Sequence, residues 1–408
     1  MKPSRAWLLW LPLLLGAAGG SDPVELNQQA VELLERGEFD EAIGLLKRAA
    51  VDSDNDPVIV RNLAVARNNR GLQLLREARY SRAIVDFDAA YRLVEGKNPL
   101  FEVHLGYAYL LSRDFSRAEA ALLHARSQHP EEPKVYDFLG FLYYTRDELK
   151  KSVEMFETRL RLEPDEWAKG QLEKARRELE VSGDFVDRSS NDFTLKFLGN
   201  ESNYDIADDL LSILDAARAR ICSDLGHYPQ GRTTVLLYSN SDFKKATGAH
   251  SWVGGLYDGK IRLPLSNFQR DRETIVRTVH HEYTHRVVAE MAPSCPIWVN
   301  EGLAEWFEEG GAESHRDIRE LVAAGQPAPR FAEMPKSLAS QTNVTLVRSQ
   351  YAASRSFMGF LRQRYGLGAV RSFLLSLGRN EELDHALEKN FGDSLDELEA
   401  LWKREILN

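Results

Sequence analysis

Four segments of this chain repeat one alternation of large and small side chains, and that restricts its first half to stacked helical hairpins. They are RGEFDEAIGLLKRA (36–49), EARYSRAIVDFDAA (77–90), SRDFSRAEAALLHA (112–125) and TRDELKKSVEMFET (145–158). Phe39, Tyr80, Phe115 and Leu149 share one place in the repeat, and three residues later stand Ala42, Ala83, Ala118 and Ser152. A second small residue follows at Ala49, Ala90 and Ala125, and the last repeat breaks the rule with Arg159. Antiparallel helices approach closely only where a small side chain meets a large one, so this alternation at helical spacing predicts helix pairs. Pro57, Pro99, Pro133 and Pro164 punctuate their ends. The step from Phe39 to Tyr80 is longer than the next two, which predicts an extended first helix in the second repeat.

The pattern resembles the tetratricopeptide repeat, most closely in LGYAYLLSRDFSRAEAALLHA (105–125). The resemblance implies an all-α solenoid over residues 21–180, with about four repeats and a polar capping helix from Asp165 to Glu180. Such a stack offers a concave face to a protein partner. Tyr107, Tyr109, Tyr143 and Tyr144 either line that face or pack the helices. The repeats are preceded by a basic start, Lys2 and Arg5, an apolar run from Ala6 to Ala18, and small residues at Gly19 and Gly20. Residues 1–20 therefore read as a cleavable signal peptide, and the mature protein as exported, periplasmic or secreted, with no integral membrane segment.

VSGDFVDRSSND (181–192) is polar, contains Gly and Ser, and reads as a linker. Beyond it the pattern changes. DFTLKFLG alternates like a strand, Tyr204–Leu225 like an amphipathic helix, and TTVLLYS is a buried strand. GGLYDGKIRLP (254–264) is a strand or hairpin, and after Asp271 the chain reads as helical. Strands followed by helices make residues 193–408 an α+β domain. A net charge of −10 gives no basic face for nucleic acid. Cys222 and Cys295 either pair or remain two thiols.

Chemistry concentrates in VHHEYTH (279–285) and WVNEGLAEW (298–306). Val276, Val279, Tyr283 and Val287 form an apolar stripe, and His281 and His285 stack on the nearly opposite face. Two imidazoles one turn apart can hold one cation, with Glu282 beside them to reach its water. Without more, the same residues make a solvated helix face. Glu301 and Glu305 again lie four apart, giving a third ligand and a carboxylate to orient an imidazole.

HEYTH followed by NEGLAEW resembles the gluzincin zinc peptidases, specifically the peptidase MA-like family, from about Phe193 to the early 370s. The resemblance implies one zinc ion on His281, His285 and Glu301, with Glu282 as the base that activates zinc-bound water against a peptide bond. It also implies a later-helix phenol, Tyr351, as oxyanion donor, which otherwise packs the core. Gly254, Gly255, Leu256 and Tyr257 would hold an extended protein or peptide substrate along an edge strand, or be a plain hairpin. The ligand-to-ligand gap is shorter than in thermolysin, and no motif gripping a free amino terminus is present, so an endopeptidase is expected. The alternative is an inactive protease-like repeat scaffold in the cell envelope.

Overall fold

The computed structural model describes residues 22–248, 254–266, 271–308, 315–335, 338 and 343–407. The segment expected to be a signal peptide, residues 1–20, lies outside the described residues. The first half is four helical hairpins: α1 (Pro23–Glu35) with α2 (Phe39–Asp52), α3 (Pro57–Arg76) with α4 (Tyr80–Leu93), α5 (Pro99–Leu111) with α6 (Phe115–Gln128), and α7 (Pro133–Thr145) with α8 (Leu149–Leu162). Each first helix opens on proline, where its missing N–H is no loss. The residue before it, Asp22, Asp56, Asn98 or Glu132, accepts a first-turn backbone N–H at 2.8–3.1 Å. The longer repeat step falls in α3, which has 20 residues where α1, α5 and α7 have 13.

The small residues are where the helices touch. Ala42, Ala83, Ala118 and Ser152 are fully buried. A Cβ on Gly71, Gly106 or Gly140 would come within 2.6–2.8 Å of Phe87, Leu122 or Phe156. Arg159, at the place where the other repeats have alanine, is buried with its Nε donating to Asp137 at 3.0 Å. The turns within the second, third and fourth hairpins place Ala78, Arg113 and Asp147 in the left-handed region, with φ of 52, 63 and 63°.

One expectation for this half needs correction, and one open choice resolves. The segment read as a polar cap forms α9 (Glu166–Ser182), but Glu178 on it is fully buried, because α9 is the joint to the second half. Tyr143 and Tyr144 do not line an open face. Tyr143 is buried and donates to Glu119 at 3.1 Å, and Tyr144 is buried in the joint, where its hydroxyl meets Arg262 at 2.9 Å. Tyr107 stacks on Phe138 with centroids 4.1 Å apart.

The linker expected at 181–192 contains instead β1 (Phe185–Ser189), which pairs antiparallel with β2 (Phe193–Leu198). The sheet runs β1-β2-β3-β5-β4, with β3 (Thr233–Tyr238), β4 (Leu256–Tyr257) and β5 (Ile261–Pro264). β2, β3 and β5 are parallel, and α10 (Glu201–Leu225) makes the crossover from β2 to β3. Strand alternation gives the sheet two buried faces. Phe193, Leu195, Phe197, Val235, Leu237, Ile261 and Leu263 enter the main core. Leu236 and Tyr238 face the other way, against Phe243 of α11 (Asn240–Thr247).

The helices that follow are α12 (Arg272–Met291), α13 (Ile297–Glu308), α14 (Arg316–Ala323), α15 (Val344–Gly378), α16 (Leu383–Phe391) and α17 (Leu395–Trp402). α15 breaks at Gly366, whose φ of 83° an L side chain rarely adopts. α13 lies so close to α15 that a methyl on Gly302 would run into the Ser354 carbonyl and Met358. Trp298 of α13 packs on Phe331, Phe357 and Phe373, and Trp402 closes the cluster while donating to Ser356 Oγ at 2.9 Å. The cysteines are both free: Cys222 is buried near the Tyr283 hydroxyl, and Cys295 is half-buried. Asn200 and Asn343 cap α10 and α15. Among the described residues, no helix is long and apolar enough to cross a membrane.

Candidate metal centre

α12 is committed on both faces. It starts at Asp271, whose carboxylate accepts the Thr274 N–H at 2.6 Å. Ile275, Val279, Tyr283 and Val287 are buried in the main core. The opposite face carries His281 and His285, with ring centroids 4.8 Å apart. His280 is not part of that pair: its Nδ1 donates back to the Val276 carbonyl at 2.7 Å. Chain reversal through Pro293 to Pro296 brings α13 alongside, and one face of α13 carries Glu301, Glu305 and Glu308.

The structure brings the three expected ligands together. Glu301 Oε2 lies 3.6 Å from His281 Nε2 and 3.5 Å from His285 Nε2. One ligand atom from each of the three residues falls within 4.8 Å of the others. Glu301 Oε2 is buried and makes no hydrogen bond among the described residues. A buried carboxylate oxygen left this way is costly, and two imidazole nitrogens facing it make a donor set suited to a divalent cation.

The carboxylate bonded to His281 differs from the expected one. His281 Nδ1 donates to Glu308 Oε2 at 2.8 Å, whereas Glu305 Oε1 is 3.9 Å away. Glu308 was missed because the i,i+4 rule ranks positions on one helix, and the angle at which α13 crosses α12 decides which glutamate arrives. Its spacing of seven from Glu301, on the same face, was the available signal.

Glu282 is buried on the side of α12 facing β4. A Cβ on Gly255 would stand 2.7 Å from its Oε1, so only glycine admits the strand this close. The Tyr257 backbone N–H faces the Glu282 carboxylate and favours its ionised form. Burial, with the nearby charges of Glu301 and Glu308, raises Glu282 to about 7 despite His281. Burial likewise raises Glu305 to about 7. Burial works against charge on His281, but Glu301 and Glu308 outweigh it and hold its pKa well above the ordinary range. Burial opposes ionisation of Glu301 too, and His285 and His281 overcome it. Four carboxylates around two imidazoles leave the pocket short of positive charge.

These groups line a cavity of about 1380 Å³. Gly254, Gly255, Leu256, Tyr257 and Tyr351 line it as well. Burial, and then the carboxylates of Glu301, Glu305, Glu282 and Glu308, raise the Tyr351 phenol, so it stays protonated and able to donate. Arg348, one turn earlier on α15, lies at the exposed margin.

No family model matches this sequence, and no curated protein matches it. Solved structures similar to it include a MamA double mutant from RS-1, 22% identical over 38% of this chain and 84% of that one, with a TM-score of 0.32. MamA from residue 41 onward, from Desulfovibrio magneticus RS-1, is 22% identical over 40% of this chain and 87% of that one, with a TM-score of 0.33. A thermophilic TPR protein from Thermus thermophilus is 18% identical over 38% of this chain and 98% of that one, with a TM-score of 0.24.

Proposed function

We propose that the second half of the chain is a zinc-dependent endopeptidase and that the helical repeats serve protein–protein contact. The observation that carries this reading is the convergence of His281, His285 and Glu301 around an otherwise unpartnered carboxylate oxygen. Zinc bound there supplies Lewis acidity toward water and a carbonyl oxygen near neutral pH. Glu282, within the same cavity, takes the proton from the attacking water and returns it to the leaving amine. The Tyr257 N–H and the close backbone at Gly255 aim its carboxylate. Glu308 holds His281 in the tautomer that leaves Nε2 free to ligate. The Tyr351 hydroxyl, kept protonated by its surroundings, donates to the oxyanion. Export belongs to the same proposal and rests on residues 1–20 of the sequence.

A scaffold reading has its own support in the repeats, which occupy most of residues 23–182. Metal content and cleavage decide between the two. Purified protein is expected to carry about one zinc per chain and to cleave casein. A chelator should stop cleavage and added zinc restore it. Undiminished cleavage after chelation removes zinc from the reaction, and metal-free protein that never cleaves leaves the scaffold. The role of Glu308 has its own check in zinc titration. Glu308→Gln is expected to weaken zinc binding by about 10- to 100-fold, with Glu305→Gln weakening it less. The reverse order would return the orienting role to Glu305.

A further inference from the structure

We propose that the repeat half positions the active-site edge strand: Asp147 and Glu178 grip Lys260 and Arg262, and the hairpin so held keeps Glu282 aimed. This rests on the endopeptidase reading. β4 has two residues, paired only as Leu256↔Arg262 and Tyr257↔Ile261, around a turn at Gly259 with φ 102°. A ladder that short does not fix its own position. Yet this hairpin presses Gly255 and the Tyr257 N–H onto the Glu282 carboxylate.

What fixes the hairpin comes from the other half of the molecule. Lys260 Nζ reaches Asp147 Oδ1 at 2.6 Å and Glu178 Oε1 at 2.8 Å. Arg262 Nη2 reaches Glu178 Oε2 at 2.8 Å and the Tyr144 hydroxyl at 2.9 Å, and Tyr144 in turn donates to Glu178. Lys174 of α9 pairs with Asp258 at 2.8 Å, and Arg113, from the left-handed turn between α5 and α6, stands against the Tyr257 phenol. Lys196 of β2 balances the second oxygen of Asp147 at 2.6 Å, and Asp258 also pairs with Arg262. Asp258, Lys260 and Arg262 are therefore each held by a side chain from the repeat half.

Lys260 and Arg262 are each 1% exposed and Glu178 is 0% exposed. Removing such charges from water roughly cancels what their pairing returns, so the cluster does little for net stability. Its effect is directional: satisfied buried charges accept one geometry and penalise a shifted one. Asp147, Glu178, Lys260 and Arg262 touch no reacting atom; they are positioning residues that act through β4 on Glu282.

The test uses the full chain with Lys260→Met and Glu178→Gln combined, which leaves Arg262 paired with Asp258 and Lys196 with Asp147. Amide hydrogen exchange at Leu256 and Tyr257 is expected to speed up at least about tenfold relative to the α12 amides. kcat is expected to fall by up to about a hundredfold, as a misplacement near 1 Å allows, with zinc stoichiometry and KM nearly unchanged. Lys260→Arg, which keeps the charge, should restore both. A folded, zinc-loaded double variant with wild-type exchange at Tyr257 and wild-type kcat overturns the proposal. If the double variant does not fold, Tyr144→Phe removes one hydroxyl from the cluster, and the same two readouts decide. If the wild type itself never cleaves, the endopeptidase reading fails, while the exchange measurement still decides whether the repeat half holds the hairpin.

Discussion

Glu282→Gln lowers casein hydrolysis by about two to four orders of magnitude, and the protein still carries its zinc. The two halves of that expectation come from different contacts. The amide keeps the length and shape of the carboxylate beneath Gly255, where there is no room for a larger group. It therefore leaves α12, and with it His281 and His285, undisturbed. What it loses is the ability to take a proton, which nothing else in contact with the cavity replaces at the same place. Glu305, also raised to about 7, sits beyond His281 on α13. Measured rates and metal content of the same preparation separate the outcomes. Unchanged hydrolysis sinks Glu282 as base, and lost zinc would move it from proton carrier to ligand.

Glu301→Gln gives the complementary result: zinc no longer co-purifies, and hydrolysis falls to background. Glu301 Oε2 is the atom that faces both imidazole nitrogens, at 3.6 and 3.5 Å. An amide there brings a neutral oxygen or an N–H toward the ion, and the three-ligand set with a free fourth position is gone. The effect is readable without activity. Saturating zinc stabilises a folded chain that binds it, by about 4 kcal/mol at a thousandfold excess over Kd. Wild-type protein should show that upward Tm shift and Glu301→Gln should not. Equal shifts in the two proteins would mean that zinc binds elsewhere.

Periodic features were legible in the sequence. The repeat hairpins follow from Ala42, Ala83 and Ala118 recurring at one place, and β2 from the alternation of Phe193, Leu195 and Phe197. His281 and His285 were legible as a pair because they lie one turn apart on one helix, and the structure sets Glu301 of α13 beside them. The joint was not legible. β1 is an edge strand whose residues Asp187 to Ser189 are exposed, so its composition looks like a linker. Glu178, Lys260 and Arg262 look like solvated charges, because burial by a partner more than 80 residues away leaves no local signal. Tyr144 was left open between the concave face and helix packing, and its hydroxyl serves the buried cluster.

The joint also gives the solenoid a direction of growth. Stacked repeats contact only their neighbours, so such arrays lengthen or shorten readily. Here the turn bearing Asp147 and the helix bearing Glu178 are matched to β5, which freezes the fourth hairpin and α9. Units ahead of that hairpin can be gained or lost without disturbing the Lys260 and Arg262 contacts. Lineages carrying this architecture should vary in the number of units ahead of the last hairpin and keep that hairpin fixed.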